Sequence, residues 1–252
     1  MSASPSIGNL DVANFTVGAM LRAGIAVRKG LRGAESLEEA ANMLVRFLYD
    51  NCVDAVSGQR SCVLARFYKT HNYDGLQPDL RGIASAQLGN SAPSGDMRCL
   101  TLLATAGDEP AWNSRHASVS HQAIPLPTAD IVRRAPMIAR LIEALGLDIE
   151  SVVRGGAPTS RPGEARTYDV FHVEEARGSP HIPAQHDFVM RYGVASVVGF
   201  GGLLRSGELF AVILFSRARI PAASAARFRT IALDVRSALY LVDEERTWAI
   251  DR

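Results

Sequence analysis

Residues 194–204 and 208–216 are two apolar runs rich in Val, Phe, Leu and Ile, separated only by Arg205-Ser206-Gly207. Parallel strands need a crossover of a dozen or more residues, whereas a three-residue spacer ending in glycine closes an antiparallel hairpin. The C-terminal part of the chain is therefore committed to antiparallel pairing. The hairpin is followed by one amphipathic stretch, 221–243, in which Phe228, Ile231, Ala232, Val235, Leu239 and Val242 share a helical face. Strand runs with helices at the sequence ends predict an α+β fold rather than a repeated βαβ unit.

The rest of the chain supplies three more strands and several helices. Ser36 followed by Glu39 reads as a capping box for a helix carrying Leu37, Ala40, Ala41, Leu44, Val45 and Leu48. Residues 61–69 alternate as a strand, with Val63, Ala65 and Phe67 on one side and Cys62, Leu64, Arg66 and Tyr68 on the other. The run 97–105 is a largely apolar strand that belongs inside its sheet. Residues 70–96 read as irregular with a short helix near 79–88, and 106–127 read as loop. Thr128 caps a helix predicted to reach Leu145, kinked at Pro136 and stopped by Gly146. A loop at 154–165, a strand at 166–173 and a short helix at 184–192, started by Pro183 and stopped by Gly193, complete the order.

The first helix, 10–31, repeats Leu10, Val17, Gly24 and Leu31 every seven residues. Such a seam fits a dimerising helix or a helix packed on its own domain equally well. Gly199-Phe200-Gly201-Gly202 lies inside a strand, lacks the Lys-Ser/Thr ending of a phosphate loop and opens no helix, so it reads as a bend or bulge in the sheet.

Composition narrows the function classes. With 27 Lys and Arg against 26 Asp and Glu, the net charge of +1 provides no global field for nucleic acid or an acidic membrane. Cys52, Cys62 and Cys99 form no C-x-x-C pair and are odd in number, which argues against a disulfide framework or a four-ligand zinc site. Neither a leader pattern nor a run of 18 apolar residues is found, so the expectation is a soluble cytoplasmic protein.

The segment from Gly193 onward resembles the C-terminal half of a GAF domain. The pieces that carry the resemblance are Val194–Val198, the Gly207-Glu208-Leu209 hairpin, Phe210–Phe215 and the helix Phe228–Leu239. Val170-Phe171-His172-Val173-Glu174-Glu175-Ala176 is similar to the strand and acidic loop that precede them. In outline the likeness extends over 35–243, with 1–34 as a helical extension and 244–252 as a tail. Blocks such as LARFYKTHNYDGLQPDL resemble a bacterial subfamily found upstream of histidine kinases and nucleotide or diguanylate cyclases. The resemblance implies a five- to six-stranded antiparallel sheet of GAF/PAS type, flanked by helices, with long N- and C-terminal helices. It also implies a non-catalytic sensor that binds a small molecule, works as a homodimer through its terminal helices and addresses an effector in cis or in trans.

Six side chains are candidates for a ligand cavity between the sheet and segments 106–127 and 174–192: Trp112, His121, Tyr168, His172, Phe188 and Tyr192. Tyr168 and His172 alternate with Val170 on one side of their strand, which makes His172 the favoured pocket histidine. No cofactor is specified. Haem held by one of the six histidines is one alternative, because some GAF domains bind haem in this way. A cysteine-dependent enzyme similar to free-methionine sulfoxide reductases is another, although Cys62 and Cys99 fall in apolar strands and Cys52 at a helix end, poor settings for a reactive thiolate. The N-K-x-n-F-x-D-E pattern of cyclic-nucleotide-binding GAF domains is absent.

Overall fold

The hairpin organises the sheet. In the computed structural model, which describes residues 9–155, 169–240, 242 and 246–249, β5 (Ser196–Leu203) and β6 (Leu209–Ser216) pair antiparallel from Ser196↔Ser216 to Leu203↔Leu209. Gly207 turns the chain at φ +82°, a left-handed conformation that glycine adopts freely. β1 (Cys62–Asn72) adds to the other side of β6, and β2 (Arg98–Gly107) adds to β1. The edges are β3 (Ala123–Leu126) and β4 (Phe171–Val173). The order is β3-β2-β1-β6-β5-β4 and every pair is antiparallel, so the fold is α+β as expected.

Because strand side chains alternate, the sheet feeds two separate cores. One face carries Ala65, Phe67, Val198, Phe200, Phe210, Val212 and Leu214 beneath α1 (Val17–Gly30), α2 (Leu37–Asn51) and α8 (Phe228–Leu239). The opposite face carries Leu64, Tyr68, Leu100, Leu102, Val197 and Phe215 beneath α4 (Ala129–Arg133), α5 (Pro136–Ala144), α6 (Ile149–Arg154) and the segment around the π-helix Gln185–Met190. A smaller cluster under α3 (Pro78–Ala86) closes one end.

Local chemistry explains where the elements begin. Ser36 Oγ accepts from the Glu39 amide at 3.1 Å, while the Glu39 carboxylate accepts from Glu35 N at 2.7 Å, one residue before the position a capping box would use. Thr16 caps α1, so the predicted helix 10–31 starts only at Val17; Leu10, Val12 and Phe15 are buried in the same core without being helical. On the seam, Gly24, Val27 and Leu31 are buried, and α1 packs on α8 of its own domain, whereas Val17 is exposed. A Cβ at Gly24 would lie 1.9 Å from Asp234 Oδ2, which is how closely the two helices approach.

Several expectations are corrected. The helix predicted over 128–145 is two, because Pro136 has no N–H to continue the first and instead opens the second. The stretch 221–243 is likewise divided at Arg227 into α7 (Ala222–Ala226) and α8, with residue 243 outside the described residues. At 14 and 12 residues, α1 and α8 are helices of ordinary length, not long ones. The loop 106–127 contains β3, where Pro125 is tolerated because the strand lies at an edge. Asp148 caps α6, which was not anticipated. Of the described part of the strand expected at 166–173, Phe171–Val173 pair, and 166–168 lie outside the described residues.

The glycine run 199–202 is neither bend nor bulge, since its register with β6 is unbroken. Its glycines serve close approach: a Cβ at Gly201 would lie 2.1 Å from the Phe210 carbonyl oxygen, and one at Gly199 would lie 2.8 Å from Leu141 Cδ1. The irregularities are on β1, whose register shifts against β6 between Cys62 and Leu64 and against β2 between Phe67 and Tyr68; the second has the larger consequence. It leaves Leu103 and Ala104 both on the helical face and returns Thr105 to the face of Arg66.

Candidate functional site

Between the sheet and its second layer lies a cavity of about 480 Å³. Its floor is four adjacent strands: Leu64, Arg66 and Tyr68 of β1, Leu100 of β2, Ile124 of β3, and Ile213 and Phe215 of β6. Arg66 sits opposite Ile213, and Leu64 opposite Phe215, so the two-residue alternation of neighbouring strands delivers these side chains to one surface. The walls are Trp112, Ser120 and His121 before β3, the α4–α5 junction from Arg134 to Leu141, and Pro180 to Ala184 with Phe188. Both connecting segments named from the sequence contribute; the α4–α5 wall and the β1 floor were missed.

The six sequence candidates divide unequally. Trp112, His121 and Phe188 line the cavity. Tyr192 stands behind them, its ring 4.7 Å from Trp112 and 5.8 Å from Phe188 between centroids, and its hydroxyl donates to Glu109 Oε1 at 2.8 Å. That bond to Glu109 holds the phenol pKa above its ordinary value. His172 turns away: Phe171 and Val173 face the cavity layer, while the His172 ring lies on the other side with Nε2 2.8 Å from the Ile220 carbonyl oxygen. The period of two was read correctly and its phase was not, because nothing in the alternating string says which side is hollow. Tyr168 lies outside the described residues.

The aromatic wall is rigidly built. Phe188 meets Phe215 edge-on at 5.0 Å and Trp112 at 5.7 Å, arrangements that satisfy the ring quadrupoles. Gly107 leaves the space Trp112 occupies, since a Cβ there would come 2.8 Å from the indole. Among the described residues, the non-glycine positions with positive φ are His121 at 61° and Ala184 at 55°, and both line this cavity. Left-handed backbone costs an L-residue about 1–2 kcal/mol. Ala184 also leads into the π-helix, itself an uncommon, locally strained element found often at functional sites.

Polar groups are few. Arg66 is only 9% exposed; its guanidinium donates to Tyr68 Oη at 3.3 Å and to Ser118 Oγ at 3.4 Å, and its Nε has no partner among the described residues. His121 Nδ1 lies 2.9 Å from Ser120 Oγ at the cavity mouth. Although solvent reaches one side of this ring, packing of the other side, followed by the charge of Arg66, holds its pKa below the usual imidazole value. His181 Nδ1 is buried with no partner among the described residues. A charged residue in the middle of the apolar strand CVLARFYK was the sequence signal for Arg66.

The thiols lie elsewhere. Cys52, Cys62 and Cys99 are free, buried and absent from the cavity wall. Burial pushes Cys52 up to about 12 and Cys99 up to about 11, and drives Cys62 up as well. These are settings for small hydrophobic side chains rather than for thiolate nucleophiles or covalent chromophore attachment. No described helix is long and apolar enough to cross a membrane.

No family model and no curated protein matches the chain. Among solved structures it is similar to the GAF domain of a phosphoenolpyruvate-protein phosphotransferase from Coxiella burnetii, at 11% identity and a TM-score of 0.46, covering 87% of this chain and 92% of that one. It is also similar to the GAF domain of an Acinetobacter phosphoenolpyruvate-protein phosphotransferase, at 10% identity and a TM-score of 0.41, covering 89% and 94%. A third is the phycoerythrobilin-bound GAF domain of a cyanobacterial phytochrome, at 13% identity and a TM-score of 0.41, covering 88% and 94%.

Proposed function

We propose that this chain is a GAF-type sensor module that binds a small organic molecule in the cavity over β1, β2, β3 and β6 and passes occupancy to its terminal helices. The observation that carries this reading is the cavity itself, with an apolar aromatic lining and a few convergent polar groups. The two left-handed residues on its rim support it, because strain of this kind persists where a particular geometry is needed. The sensing unit spans 35–243, flanked by the 1–34 extension and the 244–252 tail. Trp112, His121 and Phe188 contact the ligand, and Tyr192 holds Trp112 in place.

Signalling follows from differential affinity: ligand shifts the population toward whichever packing of the helices it binds more tightly. The helix pair α1/α8 provides the output in a homodimer. Val17, Leu21 and Ile25, spaced four apart on α1, are 55%, 56% and 47% exposed, and Leu233 of α8 and Tyr240 just after it are also exposed. A stripe of that spacing supports a second copy as its cover. An effector such as a kinase or cyclase, in cis or in trans, receives the signal.

Native mass spectrometry of the purified protein tests this. A dimer retaining a small molecule is expected; a monomer of bare polypeptide mass, unchanged by addition of cell metabolites, would refute it. His121 and His181 on the wall also admit haem as the occupant. A Soret band in fresh protein would establish that variant, and a blank spectrum would eliminate it.

A further inference from the structure

Among the described residues, three arginines are buried: Arg66, Arg98 and Arg115. Arg98 is paired with Glu208, and Arg115 Nε donates to Glu38 Oε1 at 2.5 Å. Arg66 has no carboxylate partner among the described residues. Its two hydrogen bonds, to a phenol and a hydroxyl, are at the long end of useful geometry, and Nε has none. A buried guanidinium cannot shed its proton to relieve this, so its charge stays in place. Removing such a charge from water is costly without an anion to pair with it.

The surroundings strengthen the point. Among the described residues no Asp or Glu lines the cavity, whereas Arg134, His121 and His181 do. Thr105, directly across from Arg66 on β2, has its hydroxyl buried and unpartnered among the described residues. Ile213 lies directly across from Arg66 on β6, and the rest of the lining includes the apolar side chains Leu64, Leu100 and Phe188.

We infer that the ligand of this cavity is an organic carboxylate on an apolar body, with its carboxylate paired to the Arg66 guanidinium and its hydrocarbon part against Leu100 and Phe188. The inference rests on the ligand-binding reading above and specifies the ligand's chemical class. A planar guanidinium matches a carboxylate in bidentate fashion, and one buried cation balances one negative charge. Arg66 is the one buried cation among the described lining residues, Arg134 and His121 being exposed, so the lining balances a single buried negative charge better than the two of a phosphate dianion. Arg66 is thus a specificity residue whose charge the fold does not need for its own stability.

Two measurements on the full chain test this. First, Arg66→Met, which keeps volume and removes charge, should raise the melting temperature by about 2–4 °C; a fall would show that the guanidinium is structural and overturn the inference. Second, 3-phenylpropionate, indole-3-acetate and hexanoate are compared with their primary amides by melting-temperature shift at millimolar concentration. The expectation is that at least one acid binds tenfold or more tightly than its amide, and that Arg66→Met erases this preference while the amide's weak shift survives. Acids and amides acting alike in both proteins would overturn the carboxylate assignment and leave the cavity reading intact. No shift with any acid would overturn the carboxylate assignment, and shifts that the cavity-filling Leu141→Trp leaves unchanged would place binding elsewhere and overturn the cavity reading with it.

Discussion

His71 makes the stability of this protein depend on pH in a way that can be computed and removed. It lies on β1, 7% exposed, with its ring stacked 5.2 Å from Trp248 and neither ring nitrogen hydrogen-bonded among the described residues. Burial first, and then the charges of Lys69 and Arg98, hold its pKa well below the ordinary 6.5. The unfolded chain therefore binds a proton that the folded chain refuses. For a folded-state pKa below the unfolded one, stability is complete above the unfolded pKa and is lost as pH falls beneath it. Linkage to an unfolded pKa of about 6.5 then removes up to about 1.4 kcal/mol between about pH 7.5 and 5.5, the full amount for a ring that stays neutral in the fold. In a domain of this size that corresponds to roughly 3–5 °C in Tm. His71→Phe keeps the aromatic stack and deletes the proton site. Denaturant midpoints of both proteins at the two pH values isolate the difference, because His121 and the carboxylates titrate alike in each. The mutant should lose less than the parent, by up to about 1.4 kcal/mol; equal losses would refute the account of His71.

Other outcomes follow from the same geometry. Gly201→Ala puts a Cβ 2.1 Å from the Phe210 carbonyl, where only backbone can yield; it should destabilise by about 3 kcal/mol or more in equilibrium denaturation, at the upper end of overpacking costs. A chromogenic disulfide reagent should label none of Cys52, Cys62 and Cys99 rapidly in the native protein and all three after denaturation, as thiols pushed up to about 12 and about 11 by burial imply for Cys52 and Cys99. One fast-reacting native thiol would contradict this. Leu21→Arg on the exposed face of α1 should shift the light-scattering mass from dimer to monomer with Tm nearly unchanged, since the side chain is 56% exposed. A mass that does not change would remove α1 from the dimer interface.

Legibility tracked the range of the forces involved. The capping residues Ser36 and Thr128, the hairpin turn at Gly207 and the alternation of β1 from Leu64 to Tyr68 are readable, because each depends on neighbours within a few positions; Cys62 and Val63 lie on the faces opposite to those expected, because the register with β6 shifts between Cys62 and Leu64. β3 was missed because a four-residue edge strand containing Pro125 carries no local signal; its backbone groups are claimed by β2. His172 was placed on the wrong side because alternation gives a period without a direction. Arg66, the group with the most chemistry in the cavity, stands in plain sight within an apolar strand, yet its meaning requires knowing that its cross-strand neighbours are Thr105 and Ile213.

From its sequence alone, then, the chain was bound to an antiparallel α+β sheet, since a three-residue connection between apolar strands leaves no room for a crossover. Which face of that sheet is packed solid and which is hollow was decided only in three dimensions. Helices α1, α2 and α8 present continuous apolar faces that fill one side. The short pieces broken at Pro136 and Ala184 cannot fill the other, and the space they leave gathers Trp112, His121 and Phe188, residues separated by up to 76 positions, around Arg66.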